Sequence, residues 1–431
     1  MNQLARELNA QLEGTVIARL LSGYGLRAYF PKGIVAQSAE AKQRADRYNA
    51  TVGMAYSGGE PVMLPAVREL LPHFTPSEAV AYSPTPGNPK LRDLWATEIA
   101  AKNPSLGDTS HSRPVVTAGL TNGLFQLAEL FVDPGDSVVM PDLFWGNYRL
   151  ILEGRNEARL TTFEFFTAGG EFNVAGLAEM LERHREHGKI VLLVNFPNNP
   201  AGYAPTRSDA DRLVEALRAE AEAGTDLLVI CDDAYFGLFY AEDTFTESLF
   251  ARLAGAHERI LVAKVDGATK EDYLWGMRIG FITIAARGLE PRHYEAFEKK
   301  LTGSLRASVS NSNTLGQSLL IRLLEHPEYR RQKEVQREEM LARFRAMQQA
   351  IASMPADTPL RALPCNAGYF VSFDCRKLDA EQLRLALLDR GIGTISIQNR
   401  YLRVAFASVD RDEIEPLFGE IFDTARGLAE A

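Results

Sequence analysis

Five short runs rich in Val, Ile and Leu, at 137–140, 189–194, 226–231, 259–265 and 280–285, are too short for ordinary helices and too apolar to lie on a surface. Runs of that kind read as strands buried on both faces. The stretches between them have a different period. Over 122–131, Leu124, Leu127, Ala128 and Phe131 fall on one helical face, and Leu213, Ala216 and Leu217 do the same over 208–223. Alternating strands and helices predict an α/β fold, a mostly parallel sheet covered by helices, because each parallel connection must cross back over a face of the sheet. Further on the pattern changes to a charged helical stretch over 322–350, then strands 368–374 and 401–407 separated by a helix at 380–390. That is a smaller α+β unit. The expected division is an N-terminal arm with part of the small domain (1–60), a large domain (61–320) and a small C-terminal domain (321–431). The arm is helical at first, is punctuated by Gly23, Gly25, Pro31 and Gly33, and reaches a Ser57-Gly58-Gly59-Glu60-Pro61 turn. It reads as a wrap or lid.

The 431 residues, 46% hydrophobic and 24% charged, supply ample material for such cores. A net charge of -9, with no Lys/Arg cluster interleaved with aromatics, argues against nucleic acid and for a small-molecule enzyme. Cys231, Cys365 and Cys375 show no CxxC spacing, and His and Cys do not cluster, so reduced buried thiols are expected and no metal. The N-terminus lacks the basic-then-apolar order of a signal peptide, and no apolar run approaches about 18 residues. A cytoplasmic protein without a membrane partner is the expectation.

Ligands of a parallel sheet collect where strands end. Four endings stand out. Val115-Val116-Thr117-Ala118-Gly119-Leu120-Thr121-Asn122 is a small-residue turn entering a helix, where amide groups and the helix N-terminus suit phosphate. Val194-Asn195-Phe196-Pro197-Asn198-Asn199-Pro200 is a rigid loop that can present Asn199 as a donor. Cys231-Asp232-Asp233-Ala234-Tyr235 places two carboxylates directly after a strand, either of which can hold a pyridine nitrogen protonated. The fourth, Val265-Asp-Gly-Ala-Thr-Lys270, ends in a lysine with Arg278 eight residues later. Lysine forms Schiff bases with carbonyl compounds, and arginine grips phosphate as a fixed fork.

Together these four segments, in this order, resemble the class I/II aminotransferase family of fold type I pyridoxal phosphate enzymes, from the Gly59 turn to Arg403. The resemblance implies that Lys270 forms the Schiff base with pyridoxal phosphate and moves the proton during transamination. It implies that Asp232 partners the pyridine nitrogen and that Tyr235 and Asn199 are donors to the cofactor's 3-oxygen. Gly119, Leu120, Thr121 and Arg278 would then hold the phosphate. Trp145, in Trp145-Gly-Asn-Tyr148, matches the aromatic that stacks on the ring. Tyr82 resembles a tyrosine that reaches the phosphate of the neighbouring subunit, which implies a homodimer. The implied reaction is a ping-pong exchange of an amino group between an L-amino acid and a 2-oxo acid.

The chain also departs from the family pattern. Gly267 stands where the family has a phosphate-binding serine, with Thr269 a possible replacement, and Tyr148 stands where relatives often carry a histidine that supports the aspartate. Lys264 competes with Lys270, Asp233 with Asp232, and Trp145 can also be read as a core aromatic. For the substrate, Arg403 is an arginine inside an apolar strand, which needs a paired anion and suits an α-carboxylate. Gly59 resembles the glycine whose backbone meets the same carboxylate. Arg306 occupies the place of a second arginine, supplied by the partner subunit in dicarboxylate-specific relatives, which favours aspartate or glutamate. An aspartate β-decarboxylase or carbon-sulfur β-lyase shares this scaffold and stands as the enzymatic alternative. A ligand-sensing regulator is the alternative of another class, opposed by the acidic charge and the lack of a basic recognition helix.

Overall fold

The computed structural model describes every residue except 14, 16–17, 19–20, 30–32, 377 and 431. Pro31 therefore lies outside the described residues. Seven strands form the central sheet: β1 (Val115–Thr117), β2 (Ser137–Pro141), β3 (Arg159–Phe163), β4 (Lys189–Asn195), β5 (Asp226–Asp232), β6 (Ile260–Asp266) and β7 (Gly280–Ala285). They lie in the order β1-β7-β6-β5-β4-β2-β3, and only β7 runs against its neighbours. The mostly parallel sheet read from the apolar runs is the sheet found. All five runs are strands, and β5 extends one residue further to end on Asp232 itself.

In the arm, α1 (Gln3–Leu12) is followed by α2 (Ile34–Arg44); around the large sheet lie α3 (Pro89–Lys102), α4 (Leu120–Phe131), α5 (Arg207–Glu222) and α6 (Pro291–Ser308). The single helix expected over 322–350 is corrected to two, α7 (Thr314–Leu324) and α8 (Tyr329–Ala352). Pro327 lies in the gap, where it lacks an N–H and disfavours helical backbone at His326. The small antiparallel sheet has the order β8 (Arg361–Ala362), β9 (Phe370–Asp374), β11 (Tyr401–Ala405) and β10 (Ile395–Ile397), and packs with α9 (Ala380–Asp389) and α10 (Ile414–Glu430).

Each sheet has its own apolar core. Leu127, Val139, Leu192, Val229 and Val265 belong to the first, and Val371, Phe373, Leu402 and Phe418 to the second. Helix α8 bridges them, burying Tyr329 and Met340 in the first and Phe344 and Met347 in the second. Each fully buried side chain of this size contributes about 1.5–3 kcal/mol, so α8 is firmly tied at both ends. The arm is tied to the C-terminal unit: Tyr48–Asn49 pairs in parallel with Ile392–Gly393 as a separate two-stranded sheet, and the Gln37 side chain exchanges hydrogen bonds of 3.1 and 2.8 Å with the Ser396 backbone. The three cysteines are unpaired, and no described helix is long and apolar enough to cross a membrane.

Candidate active site

The parallel register sets Asn195 beside Asp232 and Asp232 beside Val265, so β4, β5 and β6 end side by side. Past those ends lies a cavity of about 360 Å³ between the two sheets. Of the residues singled out in the sequence, it is lined by Leu120, Thr121, Trp145, Asn199, Asp232, Tyr235, Lys270 and Arg403, with Tyr148 beside them. Trp145 lines the cavity and also packs against the edge of the large core.

The competing pairs separate by direction. Asp232 faces the cavity, where its buried carboxylate accepts from the Tyr148 hydroxyl at 2.5 Å and from the Ala234 amide at 3.2 Å. Asp233 points the opposite way, as successive residues of extended chain do, and pairs with Lys264. Lys264 is 1% exposed, also lies 3.3 Å from Asp266, and does not line the cavity. Burial pushes the Asp232 carboxyl up from its ordinary range, while the Tyr148 hydrogen bond and the charge of Lys270 oppose that rise. A neutral hydroxyl here does the bonding that an imidazole could do, without adding a charge.

Lys270 sits on a helical turn, Ala268–Glu271, that directly follows β6 and Gly267. Its ammonium stands 4.9 Å from the centre of the Tyr235 ring. Burial lowers its pKa to about 8, with Arg278 adding to the fall and Asp232 opposing it. A lysine so placed is more readily neutral, the form in which an amine attacks a carbonyl or takes up a proton.

Beside this lysine the N-terminus of α4 carries no side-chain cap. Its N-cap Gly119 has φ +82°, and a Cβ there would stand 2.6 Å from Nη2 of Arg278. Glycine therefore lets the guanidinium close on a set of unsatisfied amides, an arrangement that attracts a phosphate. Gly267 is also sterically required: a Cβ would come within 2.5 Å of the Ile279 carbonyl oxygen. The Thr269 hydroxyl is buried without a partner and does not line the cavity.

Arg403, 2% exposed, donates to the Asn199 side-chain oxygen at 2.9 Å and the Thr51 carbonyl at 2.8 Å, with its guanidinium 4.3 Å from the centre of the Phe370 ring. Its Nε is buried with no partner, and burial lowers its pKa to about 10. A buried cation with a free donor calls for an anion. Gly59 does not supply the neighbouring backbone and is corrected: it lies on the exposed Gly58-Gly59 turn of a hairpin and lines a separate cavity with Arg47 and Asp410. The glycine of the Lys270 cavity is Gly53, where a Cβ would be 3.2 Å from the Tyr235 hydroxyl. Tyr82 and Arg306 are both exposed and line no part of the cavity, Tyr82 at 91% exposure and Arg306 bonded to Ser310 at 2.7 Å. Ile34 and Ser38 of α2, Val52 and Phe370 also face the cavity, and sequence reasoning missed them because nothing local distinguishes them from other arm and core residues.

These donors fit pyridoxal phosphate: an amine of lowered pKa for its aldehyde, a buried carboxylate for its ring nitrogen, and a cationic amide cradle for its phosphate. Arg403, a buried cation among the lining residues of the same cavity, suits an anion.

The profile of the family described as aminotransferase class I and II matches residues 54–421. An aspartate/prephenate aminotransferase of Thermus thermophilus is 25% identical over 375 residues, 86% of this chain and 89% of that protein. An aspartate aminotransferase of Thermotoga maritima is 28% identical over 244 residues, 56% of this chain and 59% of its own. The crystal structure of an aminotransferase from Anaerococcus prevotii shares the fold at a TM-score of 0.79 and 22% identity, covering 94% of this chain and 99% of that one. A Pyrococcus horikoshii kynurenine aminotransferase shares it at 0.79 and 18%, covering 96% and 99%. With a matching profile over most of its length and a cavity that fits the cofactor, this chain belongs to the class I and II aminotransferase family and is a pyridoxal phosphate-dependent transaminase.

Proposed function

We propose that the protein moves the amino group of an L-amino acid to a 2-oxo acid at the Lys270 cavity, with aspartate or glutamate the favoured donor. The observation that carries the site is that Arg403, a buried cation, lines the same cavity as Lys270 and Asp232. Arg403 takes the α-carboxylate common to all such substrates, which orients the α-carbon toward Lys270. Pyridoxal phosphate, when bound, supplies an electron sink for negative charge at that carbon. Gly119, Leu120, Thr121 and Arg278 would hold its phosphate, Trp145 would pack on its ring, and Tyr235 and Asn199 would donate to its 3-oxygen. Asp232, fixed by Tyr148, would hold a proton on the ring nitrogen. Lys270, neutral at moderately alkaline pH, removes the proton from the substrate α-carbon and returns it on the other side of the exchange.

The acidic preference is supported by the names of relatives such as the Thermotoga maritima aspartate aminotransferase, and by Arg306 being exposed, with its side chain bonded to Ser310, on a surface that a neighbouring copy can reach. A homodimer in which Tyr82 and Arg306 cross to the partner's site is part of the same reading. The cavity walls favour a second reading, a neutral or aromatic donor: Ile34, Val52, Leu124 and Phe370 line it, and Lys270 and Arg403 are the only cations among its described lining residues. A panel of acidic, neutral and aromatic donors against 2-oxoglutarate, oxaloacetate and pyruvate separates the two. Product release without a 2-oxo acid acceptor would mark a β-lyase or decarboxylase instead. Borohydride reduction followed by mass spectrometry should place the cofactor on Lys270, and an adduct on Lys264 would sink the assignment.

A further inference from the structure

Behind the cavity wall, the two residues that follow Lys270 enter a buried charged layer. Lys333 of α8 donates to Glu271 Oε1 at 2.6 Å and lies 2.9 Å from Asp272 Oδ1. The Tyr329 hydroxyl donates to the same Asp272 oxygen at 2.5 Å. Lys102 of α3 holds Glu271 Oε2 at 3.0 Å and lies 3.4 Å from Glu98, which also pairs with Arg330. Asp272 is 0% exposed, with Oδ2 left without a partner. Burial would push the Glu271 carboxyl up, but the two lysines outweigh it and hold it down at about 2.

We propose that Tyr329 and Lys333 are positioning residues that fix the Lys270 turn through Asp272 and Glu271. The inference rests on the assignment of Lys270 above. A four-residue helical turn does not hold its own shape, because one turn fixes several dihedrals for a single hydrogen bond. Besides local bonds from the Asp272 and Tyr273 amides, the Lys270 carbonyl accepts a 3.1 Å bond from the Tyr369 hydroxyl, so beyond that contact the turn is set by what grips its far end. Buried ion clusters are poor stabilisers compared with apolar packing of the same volume, and here one abuts Lys270.

The same helix reaches the other half of the site. Arg343 of α8, buried, donates to the Tyr56 carbonyl at 2.6 Å and to the Ala407 carbonyl at 2.9 Å, four residues beyond Arg403. At about 1.5 Å per residue, Tyr329 and Arg343 stand roughly 21 Å apart on one rigid rod. Helix α8 thereby sets the spacing between the turn of Lys270 and the strand of Arg403.

The test compares holoenzymes of the wild type, Tyr329→Phe, Lys333→Gln and Lys333→Arg. Melting temperature, turnover per bound cofactor, and the pH midpoint of the bound cofactor's visible absorbance without substrate are read for each. Lys333→Gln removes a cation beside two carboxylates, so its midpoint should rise by about half a pH unit or more, toward the protonated form. In Lys333→Gln and Tyr329→Phe, kcat should fall about tenfold or more with KM little changed, since a small misplacement of a catalytic group costs rate rather than binding. Lys333→Arg should restore both. Wild-type midpoints and turnover in the first two variants, with only the melting temperature lowered, would reduce the layer to a stability device and overturn the proposal. If Lys333→Gln does not fold, Tyr329→Phe decides alone by its turnover. Borohydride reduction that fixed the cofactor elsewhere than on Lys270 would remove the Lys270 assignment itself, and this proposal with it.

Discussion

Lys270 and Arg403 are both held in environments that penalise their charge, and the penalty has measurable consequences. The pKa of Lys270 falls from the ordinary lysine value of 10.5 to about 8, mainly through burial. Unfolding restores the ordinary value, so between those two pH values the unfolded chain binds more protons and stability rises with pH. The destabilisation is fully present below about pH 8 and gone above about 10.5. Lys270→Met should therefore raise the melting temperature of the cofactor-free protein at neutral pH, by on the order of 1–3 kcal/mol of stability, and the gain should vanish toward pH 10.5. Calorimetry across that range checks it, and a gain independent of pH would show packing, not charge, to be the cause. On the proposed role of Arg403 as partner of the α-carboxylate, Arg403→Ala should lower kcat/KM for every donor alike. A buried charge-assisted pair of this kind is worth about 2–5 kcal/mol, or roughly 30-fold to several thousand-fold in that ratio. A loss confined to acidic donors would assign Arg403 to the side chain instead.

At the level of elements, the strands that build the site were the most legible, because β4 to β7 are largely apolar runs buried on both faces. β1 has only three residues, and β3, Arg159–Phe163, is a partly exposed edge strand with two threonines, so neither carries a long apolar signal. The break at Pro327 was legible in principle, but the helical periodicity on either side masked it. Gly53 was missed for a related reason: the Gly58-Gly59 turn is a strong local signal, whereas Gly53 owes its place to packing against Tyr235 and Phe370, which lie far away in sequence. Tyr148 could be located from its spacing to Trp145, but its bond to Asp232 depends on the sheet bringing residues 84 apart together. The turn between β6 and Lys270 carries the prediction at this scale. Gly267→Ser would place a Cβ 2.5 Å from the Ile279 carbonyl oxygen and 3.0 Å from Gly280 Cα. It should destabilise by about 1–3 kcal/mol through overpacking and weaken cofactor retention, even though serine adds a phosphate donor. Tighter cofactor binding with an unchanged melting temperature would show that the turn can move to accept the side chain.

The whole molecule presents large apolar groups that its own fold does not cover. Tyr82 is 91% exposed and Val80 83%, and both lie in the segment leading to α3, away from either core. Single exposed apolar residues are unremarkable, but two neighbouring ones at this exposure suit a surface that another copy covers. On the proposed homodimer, Tyr82 of each subunit completes its partner's site, and mixing damaged subunits tests that placement. Tyr82→Phe subunits retain Lys270, and Lys270→Ala subunits retain Tyr82. If the tyrosine crosses over, a heterodimer has one site with both residues intact and one with neither, so refolding the two variants together should recover activity well above that of either alone. Random pairing makes about half the dimers mixed, so roughly a quarter of all sites should be restored. If Tyr82 serves its own subunit, every site carries one lesion and mixing recovers nothing. The outcome also bears on Arg306: Arg306→Ala should depress acidic donors selectively if a crossed dimer presents it to the side-chain carboxylate. Equal losses for acidic and neutral donors would leave the apolar cavity walls to decide specificity.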